Sequence, residues 1–294
     1  MSHRNLIDPS DLLRNLHRED WMVLDVRHDL MHPDAGALAW AEGHIPGSVH
    51  LDLDAVLSGA RTGSNGRHPL PDRQELTRRL EEVGVGSLTQ VVACDAHGGM
   101  FAARLWWLLR WLGHAEVAVL DGGIPAWVLA GGEITAEVAP PRPRGILETR
   151  PSLVETVSAA QIEASLGKPP APGEEGATRP AAFVVDARSP DRFRGENETL
   201  DPVGGHIPGA VNRFFRDNLA ADGRFKEPAV LRKELEVLLG GRSAEQAVMQ
   251  CGSGVTACHN LLAMEVAGLS GASLYAGSWS EWCSDPRRPV ERGA

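Results

Sequence analysis

"GHIPGSVHLDLD", residues 43–54, returns as "GHIPGAVNRFF" at 205–215, and this recurrence decides how the whole chain is organised. Each copy follows a matching apolar run, "MVLDVRHD" at 22–29 and "FVVDARSP" at 183–190. Farther along, "VVACD" (91–95) leads through a helix to "AVLDGGIPAW" (118–127), while "AVMQC" (247–251) leads through a helix to "SLYAGSWSEW" (273–282). A period of roughly 150 residues is far longer than the roughly 20–50 of a solenoid, so it marks a duplicated domain. The expected division is a first domain at 1–138, a connector at 139–151 and a second domain at 152–294. The connector, "APPRPRGILETRP", reads as a stiff, solvated spacer because of its four prolines and three arginines. A second low-complexity stretch, "GKPPAPGEEGATRP" (167–180), reads as a surface insertion.

Within each copy, short runs such as "WMVLDV", "VVACD" and "EVAVLD" lack strict alternation, as strands buried on both faces do. They alternate with helical stretches. One is "FAARLWWLLRWL" (101–112), stopped by Gly113; another follows Gly254 and places Val255, Cys258, Leu262 and Val266 on one stripe. Strand, helix, strand in this order predicts an α/β fold, each domain a parallel sheet with helices on both faces. Ligands in such sheets bind at the carboxyl ends of the strands.

Composition narrows the function. A net charge of -10 and no long Lys or Arg run argue against nucleic acid and anionic lipid surfaces as partners. No 18-residue apolar run and no secretory h-region point to a cytoplasmic protein. Four cysteines, Cys94, Cys251, Cys258 and Cys283, lack any C-x-x-C pairing and read as free thiols. "CDAH" (94–97) has no second half-site with ligand spacing, so no metal is expected.

The chemistry concentrates at "VMQCGSGVTACHN", 248–260, where a strand stops at Cys251 and a helix begins after two glycines. A thiolate needs positive potential, and a strand-to-helix loop can supply it through inward N–H groups and the helix dipole. Gly252, Gly254, Val255 and Thr256 are the expected anion contacts. A buried packing cysteine before a common Gly-x-Gly turn is the competing reading. The repeat bears on this choice. The equivalent strand end of the first copy carries Asp95, so the fold does not require a cysteine there, and the first copy reads as catalytically silent.

Taken together, "GHIPG" twice, "RLWWLLRWLGH", "LDGG", "RFRG", "CGSGVTACHN" and "GSWSEW" resemble the tandem-domain rhodanese-like sulfurtransferases over nearly the whole chain. Within that family the loop "CGSGVT" is similar to those of 3-mercaptopyruvate sulfurtransferases, whereas thiosulfate enzymes usually carry basic residues after the cysteine. The resemblance implies that Cys251 takes a sulfane sulfur as a persulfide and passes it to cyanide, a small thiol or thioredoxin. It also implies a relay of Ser253, His68 in "GRHPLP" and Asp54 in "HLDLD", in a cleft between the domains, and no cofactor. From spacing alone, Ser253 could be a turn former, His68 a loop histidine and Asp54 a helix N-cap.

The same resemblance makes Arg192 in "DRFRG" the grip on the donor carboxylate, since a guanidinium binds that group bidentately. A second arginine is expected shortly before "GHIPG", but "GENETLDPVGGHIPG" contains none. Arg188 or Arg194 is the candidate to compensate, against a solvated surface role. Cys258, two helical turns beyond Cys251, reads as core rather than redox partner.

Two other functions compete with this reading. A phosphatase of rhodanese-like fold would need an arginine ending the cysteine loop, and none follows Cys251. A persulfide carrier without turnover is the second rival. Mercaptopyruvate is the expected donor and thiosulfate the alternative.

Overall fold

The computed structural model describes residues 3–167 and 182–293, so nearly all of the insertion at 167–180 lies outside the described residues. Two compact units emerge. The first comprises 1–59, 70–153 and 219–225, and the second 60–69, 154–218 and 226–294. Each unit thus includes a short stretch from the other half of the sequence.

In the first unit the strands are β1 (Leu6–Ile7), β2 (Trp21–Asp25), β3 (Val49–His50), β4 (Gln90–Cys94) and β5 (Val117–Leu120). They form one parallel sheet in the order β1-β5-β4-β2-β3. The helices are α1 (Pro9–Asn15), α2 (Ala35–Glu42), α3 (Arg73–Glu82), α4 (Ala102–Trp111) and α5 (Gly123–Leu129). The second unit repeats the pattern with β6 (Glu155–Thr156), β7 (Phe183–Asp186), β8 (Val211–Asn212), β9 (Ala247–Gln250) and β10 (Ser273–Leu274), ordered β6-β10-β9-β7-β8. Its helices are α6 (Ala159–Ser165), α7 (Pro190–Arg194), α8 (Pro228–Leu239), α9 (Thr256–Val266) and α10 (Ser278–Trp282). Identical strand order in both sheets is the structural form of the sequence repeat.

Parallel strands covered on both faces are apolar along most of their length. Accordingly every residue of β2, β4 and β9 is buried. Trp127 of α5 closes the first core with Ile7, Trp21 and Ile45, and Trp279 and Trp282 of α10 close the second with Ile162, Val184 and Tyr275.

Two expectations change. Helix α9 buries every residue from Ala257 to Met264 rather than a single stripe, including His259 and Asn260. A helix surrounded on all sides has no amphipathic period to read. Its polar groups are satisfied internally: Asn218 Nδ2 donates to Asn260 Oδ1 at 2.7 Å, and Asn260 Nδ2 donates to the Arg213 carbonyl at 2.9 Å. The connector 139–151 is part of the first unit rather than a free spacer. Gly145 N donates to Glu81 O, Arg150 N donates to Leu112 O, and Leu147 is buried.

Candidate active site

Cys251 follows directly on β9, at the carboxyl end of a central strand. Its side chain is buried, with the residue only 2% exposed. Two loop amides point at the sulfur: Gly254 N donates to Sγ at 3.1 Å and Ser253 N at 3.5 Å. The N–H groups of Val255 and Thr256, at the start of α9, have no acceptor within the helix, as at any helix start. The loop therefore offers a concentration of positive partial charge around one sulfur atom.

The loop shape depends on Gly254, which sits at φ +79° with its α-carbon against the Ala276 carbonyl; a Cβ there would press into that oxygen. From the other side, α10 ties the loop down. Cys251 N donates to Ser278 Oγ at 3.1 Å, while Trp279 N and Ser280 N donate to the Cys251 and Gly252 carbonyls, each at 2.9 Å. Ser278 holds φ +54°, which among the described residues no other non-glycine shares in sign. Such strain persists only where surrounding contacts over-determine it.

The first unit provides an internal comparison. At the end of β4, Asp95 points its carboxylate into its own loop and accepts four backbone hydrogen bonds, from His97, Gly99, Phe101 and Ala102 at 2.8–3.0 Å. A strand-to-helix loop in this fold thus gathers amides around a negative group. In one unit a carboxylate fills that position permanently; in the other a cysteine sulfur stands there.

His68 belongs to the second unit, through the segment 60–69, and its Nδ1 lies 2.7 Å from Ser253 Oγ. Both residues are buried, at 3% and 5% exposure. Segment 60–69 is anchored by Arg67 N, which donates to Ser280 Oγ at 3.0 Å. Asp54 lies in the first unit, half-buried in a turn; the side chain that caps the local amides there is Asp52, which accepts from Ala55 N at 2.7 Å.

The arginines divide sharply. Arg188, a candidate for the donor carboxylate, is committed to the protein interior. Its side chain is 1% exposed, it donates to both oxygens of Asp186, to Glu198 and to the Gly205 carbonyl, and it lies 4.7 Å over the Trp279 ring. Arg27 in the first unit does the same with Asp25 and the Gly43 carbonyl, so this is a device of the fold and not of the site. Arg194 pairs with exposed Glu196. Arg192, at the end of α7, uses Nε and Nη2 on Glu198 and Nη2 on Asp201, and keeps a fifth of its side chain exposed.

Arg67 was not singled out by the sequence reading. It pairs with Asp201, within the very stretch where an arginine was sought and not found. A Cβ placed on Gly252 would lie 2.8 Å from Arg67 Nη2 and 3.4 Å and 3.6 Å from Arg192 Nη2 and Nη1, so both guanidinium groups reach the residue after the cysteine. The available signal was adjacency to His68 in "GRHPLP". Burial pushes the Asp201 carboxyl up despite Arg67 and Arg192. Burial pushes Glu198 up as well, but Arg192 and the Leu200 amide outweigh it and hold that carboxyl below its usual range.

Cys258 is fully buried and donates its S–H to the Gly254 carbonyl at 3.3 Å, bracing the loop from inside. All four cysteines are buried thiols outside any disulfide, and among the described residues no helix is long and apolar enough to cross a membrane.

Comparison with known proteins agrees with the duplicated fold. A family model described as "Rhodanese-like domain" matches twice, at 8–130 and 172–285. A Pseudomonas aeruginosa protein named "probable 3-mercaptopyruvate sulfurtransferase" is 46% identical over the full length of both chains. A Mycobacterium tuberculosis protein carrying a thiosulfate sulfurtransferase name is 39% identical over 92% of this chain and 90% of its own. Among solved structures, the 3-mercaptopyruvate sulfurtransferase of Leishmania major superposes with a TM-score of 0.81 at 29% identity, covering 97% of this chain and 75% of its own.

Proposed function

The chain belongs to the rhodanese-like domain family, in two copies, and from that premise we propose that it is a sulfurtransferase that takes its sulfur from 3-mercaptopyruvate. The observation that carries this reading is the Cys251 sulfur seated among the amides of Ser253 and Gly254, beside a 2.7 Å Ser253–His68 hydrogen bond.

The steps follow from these positions. The Cys251 thiolate attacks the donor sulfur, an S–S bond forms and the donor C–S bond breaks, leaving the enolate of pyruvate. That carbanion equivalent must take a proton. Ser253, two residues beyond Cys251, turns its amide to the sulfur and its hydroxyl to His68, so the pair is suited to deliver it. The resulting persulfide is anionic at its outer sulfur, and the loop amides stabilise it as they stabilise the thiolate. An acceptor, cyanide, a small thiol or thioredoxin, then attacks the outer sulfur and releases the Cys251 thiolate. No net oxidation occurs. We place this chemistry in the cytoplasm, where a reducing environment keeps Cys251 as a thiol.

The relatives' names divide over the donor, so the discriminating experiment is kcat/KM for 3-mercaptopyruvate and for thiosulfate on one preparation, with cyanide as acceptor. Preference for mercaptopyruvate is expected; preference for thiosulfate would overturn the donor assignment and leave the sulfur transfer itself in place.

A further inference from the structure

The site has more arginine than its chemistry has so far used. Arg67 gives Nη1 to Asp201, and Arg192 gives Nε and Nη2 to Glu198 and Nη2 to Asp201. Among the described residues no protein group accepts from Arg67 Nη2 or Arg192 Nη1, and both come close to Gly252, as does Arg192 Nη2, which Glu198 and Asp201 already hold. Both side chains are partly exposed, at 25% and 20%, whereas the acids that hold them are at 3% and 4%. Buried carboxylates thus hold two guanidinium groups and leave one nitrogen of each unused near Gly252, the residue after the cysteine.

Resting on the sulfurtransferase reading above, we propose that Arg67 is a specificity-determining residue that completes, with Arg192, a charge-compensated clamp for a donor that carries a single carboxylate.

Two features of the cluster set the specificity. The first is direction: two N–H edges converging next to Cys251 suit a planar carboxylate attached to a short chain that ends in sulfur. The second is charge balance. Asp186 offsets Arg188, and Glu198 and Asp201 offset Arg192 and Arg67, so the cluster presents donors without surplus positive charge. A monoanion can use such donors, whereas a small dianion such as thiosulfate gains less because no net charge attracts it. The second arginine, absent from the stretch before "GHIPG", is supplied from residue 67, and the vacated stretch provides its counter-ion, Asp201.

The test compares Arg67→Gln, Arg67→Lys and Asp201→Asn with the unmodified protein. Arg67→Gln should raise KM for 3-mercaptopyruvate about 10- to 100-fold, the range for losing one charge-assisted hydrogen bond. The methyl ester of 3-mercaptopyruvate and the discharge of preformed persulfide to cyanide should change little. Arg67→Lys keeps the Asp201 pair without the fork, and should recover only part of the loss. Asp201→Asn frees positive charge and should move the kcat/KM ratio towards thiosulfate by about tenfold. Equal losses on acid and ester would overturn the clamp, as would full recovery in Arg67→Lys or an unmoved ratio in Asp201→Asn. Pyruvate affinity, measured by calorimetry, decides the clamp separately from turnover. Weaker pyruvate binding in Arg67→Gln supports it and unchanged binding overturns it, even if the unmodified protein rejects 3-mercaptopyruvate and the donor reading fails.

Discussion

Ser253 Oγ and His68 Nδ1 lie 2.7 Å apart although 185 residues separate them in the chain. Ser253 also turns its amide to the Cys251 sulfur, beside the Gly254 amide. One residue therefore joins the sulfur to an imidazole that can carry a proton.

If that link delivers the proton to the departing enolate, His68→Ala and Ser253→Ala should each lower kcat/KM for 3-mercaptopyruvate by about 100-fold, within the usual range for general acid catalysis. Persulfide discharge to cyanide creates no carbanion and should fall far less. Single-turnover measurements of the two half-reactions separate these effects, and equal losses in both would remove the relay role.

Gly254 is required by shape. Its left-handed backbone and its approach to the Ala276 carbonyl leave no place for a Cβ. Gly254→Ala should cost about 1–3 kcal/mol in urea unfolding and should also misplace the amide that faces Cys251 Sγ. A variant of unchanged stability and activity would show that the loop tolerates another path.

Thiol reactivity should be uneven. Burial, aided by the nearby Asp201 charge, pushes the Cys283 thiol up to about 11, and burial pushes Cys94 upward too. Both should resist alkylation at pH 8, so iodoacetamide in limiting amount should mark the Cys251 peptide first. Peptide mapping checks the order, and early labelling of Cys94 or Cys283 would contradict it.

The acids behind the arginines have opposite pH dependence. Glu198 is held below its ordinary value, so it contributes stability above the unfolded pKa near 4.5, and that contribution is lost as pH falls through its lower folded value. Asp201 is raised, so it disfavours folding as pH rises through its folded value. Glu198→Gln should therefore flatten the acid limb of the stability profile, and Asp201→Asn should not. Denaturation midpoints from pH 3 to pH 7 read the difference, and a flattened limb in both or in neither would contradict the assignment.

The two sheets were legible in the sequence because strands buried on both faces leave continuous apolar runs, and because those runs recur in order. Cys251 was legible at a strand end, and the Asp95 substitution showed that the fold does not need a thiol there. Helix α9 misled because a helix buried all round has no stripe. The role of Arg188 could have been read from the repeat itself, since "DVR" and "DAR" recur in both copies and Arg27 pairs with Asp25 in a unit without the cysteine. Arg67 escaped because its importance comes from long-range packing: no local spacing says that residues 60–69 fold with the second unit.

The central claim is that sulfur travels on Cys251. It is tested most directly by incubating the protein and its Cys251→Ser variant with 3-mercaptopyruvate, without acceptor, and mapping added sulfur by peptide mass spectrometry. The account predicts one extra sulfur atom on the Cys251 peptide, removed by cyanide, and none anywhere on the variant. Added sulfur on the Cys94, Cys258 or Cys283 peptide, or sulfur transfer persisting in Cys251→Ser, would contradict it.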